Sequence, residues 1–151
     1  MNPFSERALQ LALENVNAGG HPFGAVLVCN GEIIAEGVNE LHLHPDVSAH
    51  AEMVAIKKAQ QARGAIDLSD CTMYASGEPC AMCLTAMYFS NLKKVIYSQS
   101  VEDASRVGLT LSEKVYHDLE KPKNQREITM IHEPIGSCEL DAMKAYATKK
   151  G

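Results

Sequence analysis

The sequence predicts an α/β fold, a three-layer α/β/α sandwich with a mixed sheet of about five strands and helices on both faces. Three observations predict it. Helical and strand patterns alternate along most of the chain, an Asn-Gly dipeptide joins two short apolar runs, and the later strand candidates are separated by helix-length segments. Hairpin-joined strands are antiparallel, whereas strands joined through a helical crossover are parallel, so the sheet is expected to be mixed. With 151 residues, 46% of them hydrophobic and 22% charged, the chain suits a single domain over 1–151 with one sizeable core.

The first element runs from Phe4 to about Val16. Ala8, Leu9, Leu11, Ala12 and Val16 recur at helical spacing, and Gly19-Gly20 ends the pattern. Ala25–Cys29 and Ile33–Ala35 form the hairpin around Asn30-Gly31, whose residues tolerate the positive φ angles of a two-residue turn. Ala49 to Ala62 reads as a helix closed by Gly64, and Cys71–Ala75 as a strand. A second apolar helix follows Pro79, from Cys80 to about Phe89, and Lys94–Ser98 supplies another strand. Beyond Ser100 the pattern weakens: Leu111–Leu119 and Glu139–Ala147 are helical in spacing, and Ile128–Ile131 is the fifth strand candidate. Met53, Met82 and Met87 lie on helices and read as core.

The net charge of −5 argues against a protein that grips a polyanion, because nucleic-acid binding draws much of its affinity from Lys and Arg at phosphates. A small substrate fits better. No apolar run approaches the roughly 20 residues of a membrane-spanning helix, and no basic-then-apolar leader opens the sequence, so a soluble cytoplasmic protein with no membrane partner is expected. Five cysteines in such a setting favour metal binding or burial over a disulfide framework. Cys29, Cys71 and Cys138 are assigned to buried or inert thiols.

Chemistry concentrates at two predicted helix starts, Ser48-Ala49-His50-Ala51-Glu52 and Glu78-Pro79-Cys80-Ala81-Met82-Cys83. Cys80 and Cys83 are three apart and share a face in a first helical turn, and His50 can complete a three-ligand set for one zinc ion per chain. The partial positive charge of a helix N-terminus favours the thiolates that bind metal. His50 and Glu52 are two apart and would diverge on an ideal helix, so His50 is expected at the cap, where both side chains reach past the helix end. Two thiolates and a neutral imidazole cancel the charge of the ion, so a nearby base is needed. Glu52 is the candidate: it would take a proton from water, deliver it to a ring nitrogen, and later protonate the departing amine. His-x-Glu paired with Pro-Cys-x-x-Cys is the zinc deaminase signature. Either half alone is a weak signal; together, in this order, they are specific.

Over nearly its whole length the chain resembles the cytidine deaminase superfamily, and within it the bacterial guanine deaminases. Pro22-Phe23-Gly24-Ala25-Val26, Asn39, His50-Ala51-Glu52 and Glu78-Pro79-Cys80-Ala81-Met82-Cys83 carry the resemblance. It implies a cytidine-deaminase-like fold and a hydrolase that releases ammonia from an amino-substituted nucleobase or nucleoside. It also implies that Asn39 hydrogen-bonds the substrate ring, that Phe23 packs against it, and that the backbone around Ala51 lines the pocket. By the same resemblance Phe89, which stands where a tryptophan is usual, is a further substrate-binding residue. Relatives are dimers that can exchange C-terminal segments, which makes residues 111–151 an extension able to contact or swap with a partner subunit. At two positions the sequence departs from the guanine deaminase pattern. Leu111 occupies the place of an acidic residue that handles the guanine edge, and Tyr146, followed by five more residues, is the counterpart of a C-terminal tyrosine. An aminated purine or similar ring is therefore expected, with guanine turned over poorly.

Other roles stay open from sequence. Asn39 precedes a loop, where asparagine also forms turns, and Phe23 can serve the core as well as a substrate. His21 can rim the pocket or face solvent, and His42 and His44 form a His-x-His pair that can bind metal but reads first as a solvated loop. Glu78 is assigned to orienting its loop. A tRNA adenosine or cytidine-type deaminase of the same fold, and a non-enzymatic protein with structural zinc, are the competing functions.

Overall fold

The computed structural model describes residues 1–150, which divide into two compact units, Met1–His117 and the segment from Asp118 onward. The first unit holds helix α1 (Pro3–Asn17), strands β1 (Gly24–Cys29) and β2 (Glu32–Val38), helix α2 (Ala51–Arg63), strand β3 (Cys71–Gly77), helix α3 (Ala81–Phe89), strand β4 (Val95–Gln99) and helix α4 (Val101–Arg106). Helix α5 (Leu111–Leu119) begins in it.

The strand order is β2-β1-β3-β4. The β1–β2 hairpin turns at Asn30 and Gly31, both with positive φ (52° and 79°), as the dipeptide predicts. Strands β1 and β3 are antiparallel, and β3 and β4, joined through α3, are parallel. Because side chains alternate along a strand, β1 feeds two cores. Val26 and Val28 pack with Ala8 and Leu11 of α1, while Ala25, Leu27 and Cys29 pack with Ala55, Ile56 and Ala59 of α2, Met73 of β3 and Met87 of α3. Helices thus cover both faces of a mixed sheet.

Two glycines bring the second layer close. A Cβ on Gly37 of β2 would lie 2.3 Å from the Ala51 carbonyl oxygen, so only glycine lets the start of α2 rest on the sheet there. A Cβ on Gly77, the last residue of β3, would meet the Phe23 ring at 2.9 Å.

Several sequence expectations are corrected. The buried face of α1 is Ser5, Ala8, Leu11, Ala12 and Asn15, with Val16 exposed, because the Asn15 amide turns inward to donate to the carbonyls of His21 and Asn39. Met53 and Met82 are only half-buried, and Met87 alone of the three is in the core. Among the described residues the sheet has four strands, close to the about five expected. Ile128–Ile131 is not a strand and exposes Ile128, Met130 and Ile131; its segment pairs with no strand, and a short apolar run without a ladder partner cannot satisfy its backbone as a sheet. From Asp118 the chain contains short 3-10 turns at Lys123–Gln125 and Cys138–Leu140 and helix α6 (Ala142–Lys150), which starts three residues later than predicted. Of the three cysteines assigned to buried or inert thiols, Cys29 and Cys71 are buried and Cys138 is exposed. Helix α4 was not anticipated; a reciprocal Ser100–Asp103 capping box starts it. Among the described residues no helix is long and apolar enough to cross a membrane.

Candidate active site

The starts of α2 and α3 meet. His50 is the N-cap of α2 with extended backbone, and Cys80 is the N-cap of α3, also extended. This resolves the two-residue spacing problem: the imidazole leaves the chain before the helix begins, and Glu52 leaves from its first turn. Cys83 lies one turn into α3, fully buried. His50 Nδ1 stands 3.5 Å from Cys80 Sγ and 3.6 Å from Cys83 Sγ, and the three atoms lie within 4.8 Å of one another.

That spacing fits a tetrahedral zinc site. Bonds of about 2.0–2.1 Å to nitrogen and about 2.3 Å to sulfur, at a tetrahedral angle, separate the two ligand atoms by about 3.6 Å. Among the described residues the group comprises these three side chains and no fourth His, Cys, Asp or Glu. His44 instead faces Glu40 at 3.5 Å, and Cys71 belongs to a separate cluster with Cys29 and Asp70. The buried His/Cys/Cys group is compatible with zinc and with an open fourth position.

Without metal the two sulfurs share a proton. The Cys83 thiol donates to Cys80, which lowers Cys80 to about 4, and the same bond together with burial pushes Cys83 up. The helix N-terminus alone therefore does not ionise both sulfurs; the second needs the metal. The hydrogen bond to Cys80 also raises His50 against the effect of burial. Glu52 is buried, with 7% of its surface exposed. Desolvation of its charged form lifts it to about 7, opposed by its own backbone N–H and by His50. A carboxyl group poised there can both take and return a proton near neutral pH.

The loop before Cys80 is fixed from two sides. The Glu78 N–H donates to the Gln99 carbonyl (2.7 Å), and its carboxylate accepts from the Val101 N–H (3.2 Å), the loop-orienting role expected of it. Tyr116 of α5 donates its hydroxyl to the Pro79 carbonyl at 2.5 Å. Burial pushes that phenol up to about 12, with the Cys80 and Glu78 charges adding to the rise, so it stays a donor. Sequence reasoning missed Tyr116, since nothing local in Leu111–Leu119 signals a contact with a residue 37 positions earlier.

Residues 2–99 match the cytidine and deoxycytidylate deaminase zinc-binding region. The chain belongs to this family. Over 150 residues it is 48% identical to the guanine deaminase of Bacillus subtilis, covering 97% of this chain and 96% of that one. The X-ray structure of guanine deaminase from Bacillus subtilis superimposes with a TM-score of 0.89 at 42% identity, covering 98% and 95% of the two chains. The tRNA-specific adenosine deaminase of Aquifex aeolicus is 33% identical over 132 residues, 87% of this chain and 84% of that one. In both sequence and fold this family member is guanine-deaminase-like.

The remaining candidates fall at different distances from the cluster. Asn39 is buried; its N–H donates to the Phe23 carbonyl (3.2 Å) and its Oδ1 accepts from the Leu41 N–H (3.1 Å), so the turn-forming role is real. Phe23 is partly buried against the core, with its ring over Gly77, which lies three residues before Cys80 in the chain. Ala51 is fully buried at the first position of α2. Phe89 ends α3 with 80% of its surface exposed. Nine residues at about 1.5 Å rise put it about 13 Å along the helix from Cys80. Leu111 opens α5 and is exposed, as are His21, His42 and His44.

Proposed function

We propose that this chain hydrolyses an exocyclic amino group from an aminated purine or similar small ring, releasing ammonia, with one zinc ion held by His50, Cys80 and Cys83. The observation that carries the reading is the pairing of a nitrogen–sulfur spacing suited to zinc with a buried carboxyl, Glu52, at the same helix start. When bound, the ion supplies Lewis-acid activation of water. Glu52 accepts one proton of the attacking water and transfers it to a ring nitrogen as the amidine-like carbon becomes tetrahedral; it then takes the second proton from the oxygen now bonded to that carbon and delivers it to the amine, so that the C–N bond breaks, the C=O bond forms and ammonia leaves. Its burial keeps bulk water from competing for that proton.

Asn39 offers its Nδ2 donors to the ring, its Oδ1 being engaged with Leu41. The Phe23 ring stacks on the substrate, and the backbone of Ala51, in a first turn whose N–H groups lack helical partners, completes the wall. Phe89 is too far along α3 to serve the site at its own helix start and acts across a subunit boundary. We accordingly place the protein as a homodimer in which residues 111–151 contact or exchange with the partner. Exposed apolar side chains at Phe89 and, in the C-terminal unit, at Ile128, Ile131, Leu140, Met143 and Tyr146 support this. Free cysteines throughout suit a cytoplasmic setting.

Within the purine class, an apolar Leu111 leaves the polar edge of guanine without a partner, at a cost of about 1–3 kcal/mol. Guanine is therefore a weaker substrate than a ring with a less polar edge. The test is ammonia release from guanine, guanosine, cytosine, cytidine, adenine, other aminopurines and aminotriazines at matched concentration, repeated with Leu111→Asp. Leu111→Asp should raise guanine turnover selectively, and efficient guanine turnover by the unaltered protein would overturn the specificity argument. The Aquifex aeolicus likeness favours a second reading, editing of tRNA adenosine; inosine formation in tRNA, with no release from any small ring, would establish it instead.

A further inference from the structure

We propose that Cys29 and Cys71 are a covalent modification site: a cross-strand thiol pair that closes to a disulfide on exchange with a low-molecular-weight disulfide. The two residues end β1 and begin β3, and they are direct partners in the antiparallel register. Antiparallel pairs alternate between hydrogen-bonded and non-hydrogen-bonded, and this one is the latter. The Cys71 N–H donates to the Leu68 carbonyl instead of across the ladder, and two positions along, the Met73 N–H likewise donates to Lys94. At such a pair the Cα atoms approach to about 4.5 Å, within the span a disulfide bridges. The sulfurs already lie within 4.8 Å of each other.

The surroundings favour thiol chemistry over a second metal ion. Arg63, from the last turn of α2, grips Asp70 with two nitrogens at 2.7 and 2.8 Å and places Nη2 3.1 Å from Cys29 Sγ. Asp70 in turn stands 2.8 Å from Cys29 Sγ and 3.5 Å from Cys71 Sγ. The guanidinium already fills the cationic role in this cluster, so a divalent ion would sit against it. The same guanidinium neutralises Asp70 and gives negative charge developing on Cys29 a cationic neighbour. Arg63 Nη2 stands against Cys29 Sγ, so Cys29 opens the exchange and Cys71, which burial raises to about 12, resolves it. Cys29 attacks one sulfur of the small disulfide and expels the first small thiol, which carries off the Cys29 proton. Cys71 then attacks Cys29 Sγ, and the second small thiol leaves with the Cys71 proton. Two cysteines are oxidised and one disulfide is reduced to two thiols.

The test is incubation of the zinc-loaded protein with oxidised glutathione, followed by intact-mass and peptide analysis under non-reducing conditions. The proposal expects a mass loss of about 2 Da per chain, a peptide linking Cys29 to Cys71, and reversal by a dithiol reductant. Cys29→Ser and Cys71→Ser should each lose this change while keeping zinc. Exposed Cys138 reports that the oxidant is competent by taking up glutathione. Glutathionylation of Cys138 with no Cys29–Cys71 link would overturn the proposal. So would a second zinc equivalent that both serine substitutions abolish, since the pair would then be a metal site.

Discussion

Replacing Glu52 by Gln separates the chemistry of the site from its stability, with opposite signs. A general acid/base contributes about 10²–10⁴-fold to rate, and here one group serves several proton transfers, so turnover should fall at least that far with zinc retained. Stability of the metal-free protein should move the other way. The carboxyl lies at about 7 in the folded chain against 4.5 unperturbed, because burial penalises its charged form. Below both values it is neutral in either state and costs nothing. As pH rises through this window the unfolded chain ionises freely while the folded chain must bury a carboxylate, so stability is lost with rising pH. A shift of that size corresponds to about 3 kcal/mol once both states are ionised. Gln cannot ionise, so the advantage of Glu52→Gln over the parent should grow by about 2–3 kcal/mol between about pH 5 and pH 8. Urea unfolding of chelator-treated protein at the two pH values measures it. An advantage that is flat with pH, or a variant less stable at the higher pH, would refute the desolvation argument; retained turnover would assign the proton work elsewhere.

Cys83→Ala removes a buried ligand, so zinc content should drop from about one equivalent to near zero with activity following, as metal analysis after dialysis would show. Loading the parent protein with zinc at neutral pH should release at least one proton, because Cys83 holds one in the metal-free state; calorimetry in buffers of different ionisation enthalpy reads it. Tyr116→Phe leaves the Pro79 carbonyl unpaired and should cost about 1 kcal/mol of stability. It should also lower kcat more than it changes zinc affinity, since the loop that carries Cys80 loosens while the ligands remain. Gly37→Ala drives a methyl group into the Ala51 carbonyl, so the start of α2 must shift and activity should fall together with thermal stability.

What the sequence revealed follows from how local each signal is. The hairpin at Asn30-Gly31, the Gly64 stop of α2 and the ligand spacing at Cys80 and Cys83 are set by neighbouring residues and read directly. The placement of His50 at a cap was legible because two-residue spacing with Glu52 allowed few alternatives. The inward turn of Asn15 was not, because it depends on carbonyls of His21 and Asn39 that only the folded chain supplies. Tyr116 and the Cys29–Arg63–Asp70–Cys71 cluster were hidden for the same reason, being assembled from separate elements. The fifth strand failed because β-propensity in Ile128–Ile131 describes a surface that fits a sheet and says nothing about whether an edge is there to receive it. The protonation of Cys83 escaped a helix-terminus argument because two sulfurs at one site compete for a single favourable charge environment.

The most direct measurement is ammonia release from the small-ring panel by one preparation in three states: zinc-loaded, stripped by chelator, and reloaded. The account predicts turnover of at least one aminated ring that disappears with the metal and returns with about one zinc per chain. Ammonia release that survives complete removal of zinc, or none from any ring at full zinc occupancy, would contradict it.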